Sequence, residues 1–249
     1  MKCRRRHRRG RQPTPDRPTV FTLDPALFAG ATELALRNWA HRTGVVRRIN
    51  YGALPIASLA ALGVAMLDKQ LRETPGRKYV LGWSEGAQII YKWLRERGPT
   101  SGVDPSEVVF ISIGNPERKY GGACVVPSPP PKLFGLIDKP RASYGGCGLP
   151  DDTPFRVVDF VREGDGWADC PTVECPSELA LGIPDDGIHM DYGLFDPSVT
   201  LDNPSILTRT EGNVTYALLP TPAIRNCDRE ATACDFNRPP YERKGIDLL

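Results

Sequence analysis

Histidine is scarce in this chain: three in 249 residues, at His7, His41 and His189. Seven cysteines are present, but none stands in a Cys-x-x-Cys spacing. The His/Cys clusters that hold zinc are therefore missing, and neither a metal nor an organic cofactor is expected. No apolar run reaches the roughly 20 residues that cross a bilayer. The longest, Ala53 to Leu67, reads as a buried helix. No apolar segment follows the basic start, because Gln12 to Thr19 is polar and proline-rich; a secretory signal is not expected. No internal repeat is apparent. Acid is absent from residues 1–11, which carry Lys2 and six arginines.

Those seven cations account for more than the whole net charge of +2, so the remainder carries −5. A basic arm of this kind binds nucleic acid or an anionic surface, or is simply a solvated tail. The acidic body and the lack of a base-reading motif disfavour a nucleic-acid partner. With 40% hydrophobic residues the body can build an ordinary core. The expected organisation is a basic arm over 1–18, one domain over 19–225 and a C-terminal surface extension over 226–249. Six cysteines fall after residue 120. Local pairing gives Cys124–Cys147, Cys170–Cys175 and Cys227–Cys234, one of 15 connectivities, with free buried thiols as the other reading.

Short apolar runs alternate with amphipathic ones. Strands are expected at Thr19 to Leu23, Val45 to Tyr51, Lys78 to Trp83, Val108 to Ile113 and Phe155 to Val161. Helices are expected at Ala31 to His41 (anchored by Leu34, Leu36 and Trp39), Ile56 to Leu71 and Glu85 to Arg97. The alternation predicts an α/β fold, a central mostly parallel sheet flanked by helices. Near-continuous apolar strands fit burial on both faces. Tyr120 to Pro154 reads as a Gly/Pro-rich insertion whose Leu133, Phe134, Leu136 and Ile137 either wall an acyl site or pack as plain loop.

The sharpest motif is Gly82-Trp83-Ser84-Glu85-Gly86. Gly-x-Ser-x-Gly alone is weak, but this one follows an apolar strand and opens an amphipathic helix. That is the setting in which a tight turn lifts a serine hydroxyl above a sheet edge. The backbone N–H of Glu85 then stands at a helix N-terminus, where it can face a developing oxyanion. A serine needs a base. In the order Ser, acid, His only His189 follows Ser84, since His41 precedes it. The acid should leave the strand ending at Val161, making Asp165 first choice and Asp169 the alternative; Asp159 lies inside the strand. Against these roles stand a plain strand–helix turn, a structural histidine and a solvated aspartate.

Gly82 to Ala87 resembles the nucleophile segment of cutinase-like serine esterases, above all of the PE-PPE domain of mycobacterial proteins. Gly114-Asn115-Pro116-Glu117-Arg118 with Gly121-Gly122, Asp165 to Pro171, His189 to Tyr192 and Thr215 to Pro222 resemble further segments of that domain, in order, over about residues 19 to 225. Fungal cutinases share a Gly-Asp before the base, which favours Asp165. The resemblance implies an α/β-hydrolase core cleaving lipid or acyl esters, and a mycobacterial or phage setting. The chain departs from the family in lacking the helical PE or PPE module. It also has Leu23-Asp24-Pro25 where a Gly-Ser or Gly-Thr turn supplies the second oxyanion donor. With no signal expected, synthesis in the cytosol and action outside it, on release or as a virion component, follow by analogy with the lysin B type of phage esterase. The rival is a hydrolase-fold virion or cell-wall binding protein with little catalysis. A peptidase or thioesterase would share the same three residues.

Overall fold

A computed structural model describes residues 17–52, 57–125, 144–165, 167–169, 188–220, 240–242, 245–246 and 248, and the backbone of 132–133 and 137–138. Most of the basic arm, Phe134, Leu136 and all cysteines but Cys124 and Cys147 lie outside the described residues.

Nine strands and three helices form the described fold. The strands are β1 (Thr19–Leu23), β2 (Val45–Arg48), β3 (Lys78–Trp83), β4 (Val108–Ile113), β5 (Lys132–Leu133), β6 (Ile137–Asp138), β7 (Arg156–Arg162), β8 (Leu207–Glu211) and β9 (Val214–Leu219). The helices are α1 (Ala31–Thr43), α2 (Ala57–Glu73) and α3 (Glu85–Glu96). Seven strands make one sheet in the order β2-β1-β3-β4-β7-β9-β8, parallel except for the β8–β9 hairpin at one edge. β5 and β6 pair separately. With helices after β1, β2 and β3 and a serine turn at the end of β3, this is an α/β-hydrolase fold.

Position in the sheet decides how each strand reads. β3 and β4 are buried throughout, as central parallel strands covered on both faces must be. Of the edge strands, β2 is half polar and β8 carries one apolar residue in five. Alternate residues of one strand serve opposite layers. Phe21, Val80, Phe110 and Val157 pack with α2 and α3, while Val20, Leu81, Ile111, Val158 and Phe160 pack with Leu36, Ala40 and Tyr192.

Three expectations need correction, and one strand has no counterpart among them. The β2 run ends at Arg48, because Ile49 and Tyr51 turn into the core instead of continuing along the edge. The α2 run is one-faced, not wholly buried: Ala60, Val64 and Leu67 face inward, while Leu62 is exposed. α1 breaks at Ala35–Asn38, where Leu36, Arg37 and Asn38 take positive φ of 53°, 57° and 59°. The break turns Leu34 to solvent and buries Leu36, whose N–H donates to the Tyr192 carbonyl at 2.6 Å. The hairpin strand β8 went unread, since Leu-Thr-Arg-Thr-Glu carries one large apolar residue. Glu242 pairs with Thr208 along β8, so part of the C-terminal extension covers that sheet edge.

Candidate active site

Ser84 stands between β3 and α3 with φ 53° and ψ −110°, a conformation that a non-glycine residue adopts only when its surroundings impose it. They do so by close approach. A Cβ on Gly86 would lie 2.2 Å from the Leu23 carbonyl oxygen, and one on Gly82 would lie 2.6 Å from the Gly86 oxygen. The Ser84 N–H is fixed by the Ile113 carbonyl of β4 at 2.9 Å. The turn is thus welded to the ends of β1 and β4, and its hydroxyl is presented at the carboxyl edge of the sheet. That edge is where open α/β sheets carry their sites.

His189 sits in a short 3-10 turn, Ile188–Met190, and is nearly buried. Its Nε2 lies 3.0 Å from Ser84 Oγ, and its Nδ1 lies 2.8 and 2.9 Å from the two oxygens of Asp165. The Trp83 indole N–H donates to the His189 carbonyl at 3.2 Å, and the Trp167 ring lies 5.9 Å from the imidazole. Asp165 follows β7 and is fully buried. The Tyr192 hydroxyl donates to it at 2.6 Å, and the N–H groups of Trp167 and Ala168 at 2.8 and 3.1 Å. Burial works to raise this carboxyl. The charge and hydrogen bond of His189, with those of Tyr192 and Trp167, outweigh it and hold the group below the usual carboxylate range.

The three residues singled out from the sequence are therefore brought together, in the order Ser, His, Asp. The other candidates are not. Asp169 accepts the Gly164 N–H at 2.8 Å, bracing the turn that carries Asp165. Asp159 points into the α3 layer, toward Tyr91 and Arg118. His41 lies on α1 beside Glu33, 3.5 Å away.

Sequence reasoning missed what supports the acid. Gly114, at φ 58°, has no room for a side chain: a Cβ would lie 2.9 Å from the Tyr192 ring and 3.2 Å from Asp165 Oδ2. Asn115 clamps the segment after β4, donating to Ser112 Oγ at 3.1 Å and accepting the Glu117 N–H at 2.9 Å. The Gly-Asn-Pro-Glu-Arg motif was the available signal, because a buried turn needs residues that satisfy their own backbone. Cys124 and Cys147 form a disulfide with Cα atoms 5.7 Å apart, one of the three local pairs expected; the other two involve cysteines outside the described residues.

A profile of the PE-PPE domain matches residues 43–224. Among solved structures, "A novel cutinase-like protein from Cryptococcus sp." is similar at 19% identity, over 74% of this chain and 89% of that one, with a TM-score of 0.47. No protein of curated function matches the sequence.

Proposed function

The chain belongs to the PE-PPE domain family, and from that premise we propose that it is a serine esterase that cleaves lipid or acyl esters through an acyl-enzyme. The observation that carries the proposal is the unbroken line of contacts from Ser84 Oγ through His189 to Asp165, on a serine turn at the carboxyl edge of the sheet.

His189 Nε2 takes the Ser84 proton as Oγ attacks the ester carbonyl. Asp165 fixes Nδ1 as the protonated nitrogen and stabilises the imidazolium. The Glu85 N–H, at the first turn of α3, is one of the donors a helix leaves unpaired at its start, and it donates to the developing oxyanion. The imidazolium returns its proton to the departing alcohol. Water, activated by the same histidine, then frees the acid. An apolar acyl half is supported by Leu27, Phe28 and Phe195, which are 59%, 44% and 85% exposed on the β1 loop and on the segment after His189. The Cys124–Cys147 bond supports action in an oxidising place, outside the producing cell. The proposed physiological esters are lipids of the mycobacterial envelope.

The test is hydrolysis of p-nitrophenyl esters from acetyl to palmitoyl. The expected result is turnover by the wild type and a loss of at least about 10³-fold in Ser84→Ala and His189→Ala. An active-site phosphonate should label Ser84. A folded wild type that neither hydrolyses nor takes the label would move the assignment to a binding protein.

A further inference from the structure

Glu85 follows the serine and turns its carboxyl inward, leaving the residue 3% exposed. Among the described residues its polar partners are two phenols and no cation. The Tyr144 hydroxyl donates to Oε1 at 3.0 Å, and the Tyr51 hydroxyl lies 3.4 Å from Oε2. Tyr51 also donates to the Asp24 carbonyl oxygen, just past the end of β1. A phenol has one hydrogen. Tyr51 therefore faces two acceptors, and while Glu85 is ionised one of them goes without. A protonated Glu85 removes the conflict. Its O–H donates to Tyr51, Tyr51 donates to Asp24, and Tyr144 donates to the other carboxyl oxygen.

The surroundings favour the neutral form. Burial, opposed by the bonds from Tyr144 and Tyr51, pushes the Glu85 carboxyl up to about 7. Burial likewise keeps both phenols well above their ordinary range. Of the neighbouring charges, Asp24 lies 3.6 Å from Arg48, and Glu117 is paired with Arg95 while taking the Tyr144 N–H. The start of α3 and the end of β1 already touch, through Gly86 and Leu23.

Building on the esterase reading, we propose that protonated Glu85 is a positioning residue for the oxyanion-binding N–H. It ties the first turn of α3 through Tyr51 to the loop after β1. The Glu85 amide then keeps its aim while charge develops on the substrate oxygen. Ionisation breaks the tie at Tyr51 and relaxes that aim.

The experiment measures kcat and KM for p-nitrophenyl butyrate from about pH 5 to about pH 9 in wild type, Glu85→Gln and Glu85→Leu. Any limb set by the base is common to all three. Wild-type kcat should fall as pH rises through about 7. Glu85→Gln, whose amide donates to Tyr51 as the acid does, should keep the low-pH kcat within about threefold and lose the fall. Glu85→Leu should lose about tenfold in kcat at every pH with KM nearly unchanged, a fraction of what deleting an oxyanion donor costs. Carbon-13 NMR of the Glu85 carboxyl in the Ser84→Ala chain should show the midpoint at which wild-type kcat/KM falls. A fall that persists in Glu85→Gln, or a carboxyl that titrates in the ordinary range, overturns the proposal and leaves the esterase standing. A wild type that hydrolyses nothing and takes no phosphonate sinks the esterase reading and this role together.

Discussion

Strand β7 and the turn after it carry two fully buried carboxyl groups six residues apart, Asp159 and Asp165, and the protein treats them in opposite ways. Asp165 receives a tyrosine hydroxyl, two backbone N–H groups and an imidazole, and is held below the usual carboxylate range. Asp159 receives the Tyr91 hydroxyl at 2.6 Å and faces the Arg118 guanidinium at 3.6 Å, beyond hydrogen-bond reach. Burial outweighs both, and Asp159 is pushed up to about 6. Depth is the same at the two sites. What differs is the supply of close donors, and that supply decides which carboxyl holds its charge. The end of the strand keeps an anion for the imidazole, and its middle keeps a carboxyl that takes up a proton as pH falls through about 6.

The largest break in this contrast is Asp165→Asn. The amide cannot stabilise the imidazolium or fix the same tautomer, so kcat/KM should fall by about 10³ to 10⁴ with folding retained. Asp169→Asn, which loosens the Gly164 turn without touching the histidine, should lose far less. The opposite ranking would reassign the acid. Next comes Arg118→Leu. It strips the cation from a buried carboxyl that keeps one hydroxyl donor, and urea unfolding should show a loss of about 3 to 5 kcal/mol. At about pH 5, below that raised value, Asp159→Asn should cost less than half as much, because the carboxyl is then mostly protonated. Equal losses would mean that Asp159 is a full anion.

Much of this was legible from residue order. Strand β3, the serine turn and α3 read directly, because a buried parallel strand, a glycine-flanked serine and an amphipathic run are local patterns. Scarcity pointed to His189, and chain order to Asp165. The α1 break was not legible, since its cause is a carbonyl of Tyr192 more than 150 residues away in sequence. Nor was the role of Asp159. Within Phe-Arg-Val-Val-Asp-Phe-Val it reads as an interruption of a strand, although a charge in such a run must meet a partner. Its partners come from α3 and from the turn after β4, two elements that only the tertiary fold brings to β7. The Glu85 carboxyl escaped for the same reason: the motif explains its backbone, while Tyr51 and Tyr144 explain its side chain.

The smallest expected effects separate the two carboxyls most finely, because each accepts from one tyrosine and each tyrosine can lose its hydroxyl alone. A hydrogen bond to a charged acceptor contributes about 1.5 to 3 kcal/mol, and one to a neutral acceptor about 0.5 to 1.5. Asp165 has a depressed folded value, so its stabilisation is present above the ordinary carboxylate range and is lost only as pH falls through the lowered value. Between about pH 5 and about pH 8 it remains an anion. Tyr192→Phe should therefore cost about 2 kcal/mol at both ends of that window, with Asp165 left to its remaining donors. Asp159 has a raised folded value, so its contribution is present at low pH and fades as pH rises through about 6. Tyr91→Phe should cost about 1 kcal/mol at pH 5, where the carboxyl is neutral, and about twice that at pH 8, where the lost donor leaves a buried charge with Arg118 beyond hydrogen-bond reach. Unfolding midpoints of the two variants at the two pH values measure all four numbers. A flat Tyr91→Phe cost would place both carboxyls in the same charge state, and the contrast along β7 would then be one of function alone.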